Sequence, residues 1–169
     1  MLTFIGGTPR SGKSTFVEIL NHTGTRLDLD HLRYSLSAFL NLNESLEVEI
    51  ENMLTSEVNI WHQKMDERED SVWGIAQKYA NAIGYQGEEG VLYGVIRPEQ
   101  LASINYPHTA VFFGNLSETA YEQKIINWSM LNRERSQRIA DSCEKLGYAF
   151  FDTSAGFDIV QQKALNLFK

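Results

Sequence analysis

Residues Gly7-Thr8-Pro9-Arg10-Ser11-Gly12-Lys13-Ser14 match the spacing G-x-x-x-x-G-K-[ST] at every fixed position. The residue types suit one task, holding a chain of phosphates. Glycines let successive backbone N–H groups curl around an anion with no Cβ in the way. A helix opening at the end of the loop adds its partial positive charge. Lys13 can reach the outer phosphates, and the Ser14 hydroxyl is placed to ligate Mg²⁺, with Thr15 next to it. The competing reading is an ordinary glycine-rich turn between strand and helix. The flanks favour the phosphate site: Leu2-Thr3-Phe4-Ile5 reads as a buried strand before the loop, and Phe16, Val17, Ile19 and Leu20 follow it at helical spacing.

Phosphoryl transfer also needs an acid that accepts the attacking hydroxyl's proton or orients the metal's waters. Asp28 and Asp30 alternate with Leu27 and Leu29, which in an extended strand places both carboxylates on one side. Asp30 comes first as the functional acid and metal-side ligand, because ligands of parallel sheets bind beyond the carboxyl ends of the strands. Asp28 comes second, on the substrate side. The alternative is that one of them only caps a helix starting near His31. Arg33, one turn on, is either a contact for an anionic substrate or a surface arginine. No apolar strand ends in Asp: one ends Val95-Ile96-Arg97, another Phe113-Gly114-Asn115. No Asn-Lys-x-Asp run is present either. Both absences argue against GTPases and motor-type ATPases and leave Arg97 as a candidate substrate-site cation beside Pro98.

The elements that would position these groups alternate in type. After the first strand and its helix, Arg26–Leu29 reads as a second strand. A helix capped by Asn43 carries Leu46, Ile50, Leu54, Trp61 and Met65, and another opens at Asp70 or Ser71 and stops at Gly84. Gly90–Ile96 and Thr109–Phe113 read as strands three and four. Ser117 caps a helix through about Trp128, and the next runs from about Asn132 to Leu146. Tyr148–Phe151 is a fifth strand before a last helix near Lys169. Apolar strands separated by helices predict a parallel sheet covered on both faces, an α/β domain. Trp61 and Trp73 fall on apolar stripes and read as core. His62, His22, His31 and His108 have no neighbours at metal-ligand spacing.

Composition sets the outer bounds. The chain has 169 residues, 43% hydrophobic and 22% charged with three prolines, the balance of a folded globular protein. A net charge of −7 offers no long-range field for nucleic acid or anionic lipid, so neither is an expected partner. Apolar runs such as Ala110–Phe113 fall far short of the roughly 18 residues of a membrane span. With one cysteine, Cys143, and no signal-like amino terminus, the expectation is a cytoplasmic protein without disulfides. Nothing in the pattern specifies an oligomeric state.

In the order of these features the chain resembles the P-loop kinases of small molecules and nucleotides, the group of adenylate, shikimate and gluconate kinases. The run VLYGVIRPE is similar to 2-phosphoglycerate-kinase-like members, which tend to have Glu-Gly where this chain has Tyr93-Gly94. The resemblance implies a three-layer P-loop NTPase fold with a five-stranded parallel sheet in the order 2-3-1-4-5. It implies one domain over residues 1–169, with a helical insertion on the acceptor side over about 36–86 and a lid over about 115–138. ATP and Mg²⁺ are the implied cofactors and a small-molecule acceptor the implied partner. Residues Gly7 to Thr15 would hold the nucleotide. Arg133, Arg135 and Arg138 fall where such kinases place a lid. Arg135 shares a helix face with Ile139 and Cys143, which aims it at the cleft. Asp152-Thr153-Ser154 is similar to the loop that packs on adenine, which implies Ser154 as a nucleotide contact, or it is a plain helix cap. A nucleotide-binding regulatory module or slow ATPase without an acceptor is the alternative, and a structural protein with a vestigial loop is a third.

Overall fold

The computed structural model describes residues 1–20, 22–39, 58–117 and 126–168. Five strands, β1 (Leu2–Gly7), β2 (Thr25–Asp28), β3 (Gly90–Tyr93), β4 (His108–Gly114) and β5 (Ala149–Asp152), form one sheet. Its order is β2-β3-β1-β4-β5 and every neighbouring pair is parallel. Leu2 of β1 sits in register with Gly90 on one side and His108 on the other. The sheet order and the flanking helices are those the resemblance implies.

Side chains alternate between two cores, as the period of a strand demands. Phe4, Leu92, Ala110 and Phe112 face one layer, and Ile5, Val91, Val111 and Phe113 the other. The first layer is covered by helix α3 (Val58–Gln86), through Trp73, Ala76, Ala80 and Ile83, and by α4 (Ile126–Leu146), through Ile139 and Cys143. The second is covered by α1 (Lys13–Ile19), through Phe16 and Val17, and by α5 (Phe157–Leu165), through Ala164. Helix α2 (Leu29–Phe39) follows β2 directly and packs on α3. Trp73 is core as expected; the side chains of Trp61 and His62 lie outside the described residues, as do Asn43, Leu46, Ile50 and Leu54. Burial also pushes the Cys143 thiol up to about 12, which leaves it inert as a nucleophile.

Several boundaries differ from the sequence expectation. Asp70 and Ser71 do not open a helix; α3 runs through them from Val58. Their neighbourhood is held by ion pairs described below, so the polar run continues the helix rather than capping it. The helix also passes Gly84 and ends at Gln86, closed by Glu88 N–H to Ile83 O (3.1 Å) and Gly87 N–H to Gly84 O (3.2 Å), the paired bonds of a Schellman end. Gly84 serves packing instead, since a Cβ there would lie 2.5 Å from the Tyr106 ring. Strand β3 stops at Tyr93, short of Ile96, because Gly94 turns the chain at φ +142°. Helix α4 starts at Ile126 rather than near Asn132, and the helix expected from Ser117 falls largely outside the described residues. The last α-helix ends at Leu165, followed by a 3₁₀ turn over Asn166–Phe168. No helix among the described residues is long and apolar enough to cross a membrane.

Two glycines of α3 therefore predict opposite outcomes for one substitution. Gly74 is exposed with nothing within 4 Å of a built Cβ, so Gly74→Ala should stabilise by about 0.5–1 kcal/mol through helix propensity. Gly84→Ala should destabilise by about 1–2 kcal/mol, because overpacking against Tyr106 exceeds that gain. Urea denaturation of both variants checks the pair.

Candidate active site

The glycine-rich loop leaves β1 at Gly7, whose φ of +130° and approach to β4 exclude a side chain: a Cβ would sit 1.8 Å from Phe113 O. Thr8 N–H then donates to that same carbonyl at 3.1 Å. Within the loop, Ser11 Oγ donates to Thr8 O at 2.8 Å and Lys13 Nζ to the same oxygen at 2.6 Å. The next position of the turn, Arg10, lies in the left-handed region at φ +59°, among the described residues the one non-glycine that does so. For an L-residue that conformation costs roughly 1–2 kcal/mol. Helix α1 has Gly12 as its N-cap, no side-chain cap and no acid in its first turn. Its leading amide donors are thus left for an anion.

A single hydroxyl fixes the loop from behind. Ser136 on α4 donates to Asn132 O (2.8 Å) and so accepts from both Thr8 Oγ1 (3.1 Å) and Asn115 N–H (2.9 Å). All four residues are buried. Asn132 is fully buried, and its side-chain amide has no hydrogen-bond partner among the described residues.

The loop from Pro9 to Thr15 forms one wall of a cavity of about 370 Å³, and Asp28, Asp30, Tyr93 and Gly94 form the other. The two acids differ in what they already do. Asp28 Oδ1 accepts from Asp30 N–H (2.9 Å) and His31 N–H (3.2 Å), so Asp28 is the cap of α2, and its other oxygen lies 3.2 Å from His31 Nδ1. Burial, and then the Asp28 carboxylate, push the Tyr93 phenol up. No hydrogen bond or ion pair to the Asp30 carboxylate is made among the described residues, and it faces Lys13 across the cavity. Burial lowers the Lys13 ammonium to about 8, against the opposing pull of Asp30, Glu69 and Asp28. The Ser14 hydroxyl is exposed in the same cavity.

The arginines go elsewhere. Arg135, 2% exposed, pairs with Glu69, itself 3% exposed, and with Asp66 at 3.0 Å. Arg97 pairs with Asp70, with Glu69 (Nε–Oε2, 3.0 Å) and with Asp66 (3.5 Å), and Arg138 lies 3.6 Å from Asp66. Asp66, Arg97, Arg135 and Arg138 line a second cavity of about 280 Å³ together with Glu99, Asp141 and Ser142. Ile139 and Cys143 pack on the sheet as their spacing predicts, but α3 supplies carboxylates that take up Arg135 away from the glycine-rich loop. Burial raises Glu69 to about 7, opposed by Arg135 and Arg97. Arg33 does not line the cavity between the loop and Asp30; its guanidinium stacks 4.5 Å above the Tyr34 ring. Ser154 clasps the segment after β4, accepting from Leu116 and Ser117 N–H at 2.8 Å, with its proton shared between Asn115 Oδ1 and Asp152.

Sequence reasoning missed Glu69, Asp66, Tyr93 and Ser136 as parts of this machinery. The spacing of Asp66, Glu69 and Asp70 with Trp73 on one helix face was the available signal for the first two. Because a guanidinium cannot shed its proton, Glu69→Leu should cost about 3–5 kcal/mol by leaving Arg135 buried with half its counter-charge. Adding Arg135→Met should recover most of that loss, and a double-mutant cycle by chemical denaturation would measure the coupling.

No protein-family model matches the chain, and no curated protein does. Among solved structures it is similar to a sugar kinase from a Janibacter species, at 13% identity and a TM-score of 0.56, covering 99% of this chain and 94% of that one. It is also similar to a presumed kinase from Chloroflexus aurantiacus, at 12% identity and a TM-score of 0.53, covering 98% and 91%. At these identities the likeness is one of fold, and it extends over nearly the whole of this chain: the polypeptide has the parallel α/β fold of those kinase structures.

Proposed function

We propose that this chain is an ATP-dependent phosphotransferase that moves the γ-phosphoryl group to a small hydroxylated or phosphorylated metabolite. One observation carries the reading: an uncommitted carboxylate, Asp30, faces Lys13 and the phosphate loop across a single cavity. The loop amides and Lys13 hold the phosphates, and Asp30 takes the proton of the attacking acceptor hydroxyl. The Ser14 hydroxyl and the Asp30 carboxylate are hard oxygen donors lining that cavity, a set that suits Mg²⁺ with phosphates and waters completing its shell. When bound there, Mg²⁺ would neutralise charge on the transferring phosphates. Gly7 to Thr15 contribute the cradle, and Ser154 holds the loop proposed to face the base. Arg97 and Asp28 would border the acceptor, with Arg33 outside the cavity wall. Arg135 reaches the phosphoryl group only by leaving Glu69 and Asp66, and that ion pairing favours the second reading, a nucleotide-binding module or slow ATPase.

The deciding assay follows ADP release from Mg·ATP with pooled acceptors: nucleosides, nucleotides, sugar acids, phosphoglycerates and aminoglycosides. Acceptor-dependent turnover that Lys13→Ala abolishes is expected, and Asp30→Asn should lower it by about 10²–10⁴-fold. ATP bound but turned over only to water would select the second reading.

The depressed Lys13 ammonium makes a prediction that needs no acceptor. Below pH 8 Lys13 is charged in the free protein and ATP affinity should be flat with pH. Above it, binding must first return a proton to Lys13, so affinity should fall by about tenfold per pH unit. Because the Asp30 charge raises Lys13, Asp30→Asn should move the break point to lower pH. Calorimetric titration with ATP between pH 6.5 and 9.5 reads both effects.

A further inference from the structure

Arg10 holds a left-handed backbone conformation that a glycine would adopt without strain, and it sits in the wall of the phosphate-side cavity with its side chain exposed. Strained non-glycine residues persist where the surrounding structure and the chemistry of the side chain hold them. Its guanidinium makes no hydrogen bond or ion pair among the described residues. The other cations near the site are engaged: Arg97, Arg135 and Arg138 with carboxylates, Arg33 with the Tyr34 ring. Without Arg10, the cavity sets one cation, Lys13, against two carboxylates, Asp28 and Asp30, an adverse balance for a polyphosphate. Arg10 cancels that excess. Its planar fork also matches two phosphate oxygens at once, which an ammonium does not.

We infer that Arg10 is a nucleotide contact in its own right, its guanidinium binding the terminal phosphate of ATP from within the loop and supplying the cation that Arg135 withholds. The inference rests on the phosphotransferase reading in that it takes the loop to hold ATP.

Two variants separate the side chain's charge from the strain of its backbone. Arg10→Gln keeps a side chain at the left-handed position and removes the charge, and Arg10→Gly removes both. Titration with Mg·ATP and Mg·ADP should show ATP bound about tenfold more weakly by each variant, with ADP changed by less than about twofold. Arg10→Gly should at the same time keep or raise Tm, by up to about 4 °C, because the backbone relaxes. ATP binding within twofold of the native protein in both variants would overturn the contact, and an equal loss for ADP would overturn its assignment to the terminal phosphate. A drop in Tm for Arg10→Gly would show that Arg10 serves the loop's structure instead. If the native chain failed to bind ATP, or bound it as well after Lys13→Ala, the phosphotransferase reading itself would fall along with this one.

Discussion

A guanidinium that is 98% hidden from water cannot discharge itself, and Arg135 is in that position. Its charge has to be met by carboxylates brought from another element, and Glu69 and Asp66 bring them from helix α3, 66 residues away for Glu69. That requirement ties α3 to α4 through ion pairs. Arg97, just past β3, joins the same cluster through Asp70 and Glu69. Three separate stretches of chain are thereby pinned at one end of the sheet, the end where Gly7 hands over to the glycine-rich loop. The electrostatic reach of Glu69 to Lys13 ties the cluster to the loop as well.

The cluster and the loop are different solutions to the same problem of hosting charge away from water. The cluster matches side chain against side chain, with Arg135 and Glu69 buried at its centre and Asp70 and Arg138 exposed at its edge. The loop leaves its donors unmatched: a helix start without a side-chain cap, an exposed Ser14, a lysine whose only hydrogen bond among the described residues is to the loop's own Thr8 carbonyl. Burial of Lys13 without a paired carboxylate depresses its proton affinity. A site poised in this way resembles a preorganised electrostatic host more than a flexible one.

Much of this was legible in one dimension because its causes are local. The phosphate loop is written in consecutive residues, and the strands announce themselves by apolar runs whose alternate members enter two cores, as Phe4 and Ile5 do. Asp28 can be placed near the loop from the strand that carries it. The strand ends there, however, and Asp30 lies in the first turn of α2, so the two carboxylates do not alternate along one extended strand as expected. The turn is made where Asp28 Oδ1 caps α2, a matter of backbone geometry. What was not legible depends on partners distant in sequence. The pattern around Asp70 and Ser71 reads as a helix start because short acidic runs favour first turns. Here the acids belong to a continuous helix and answer to Arg97 and Arg135. The stripe places Ile139 and Cys143 on the sheet, but it does not reveal that another helix carries the carboxylates that take up Arg135. Strand β3 was read too long for a similar reason, since Val95 and Ile96 are apolar because Ile96 enters the core after the turn at Gly94, not because the strand continues.

Ser136 touches three parts of the structure through one oxygen: its own helix at Asn132, the loop at Thr8, and the end of β4 at Asn115. Its proton is committed to the helix, so the loop and the strand both donate to the same lone-pair surface. Any rotation of α4 must therefore carry the loop with it or forfeit a buried bond. The posture of that helix and the conformation of the loop become two coordinates of one equilibrium, so that a bias applied to either is felt, in equal measure, by the other.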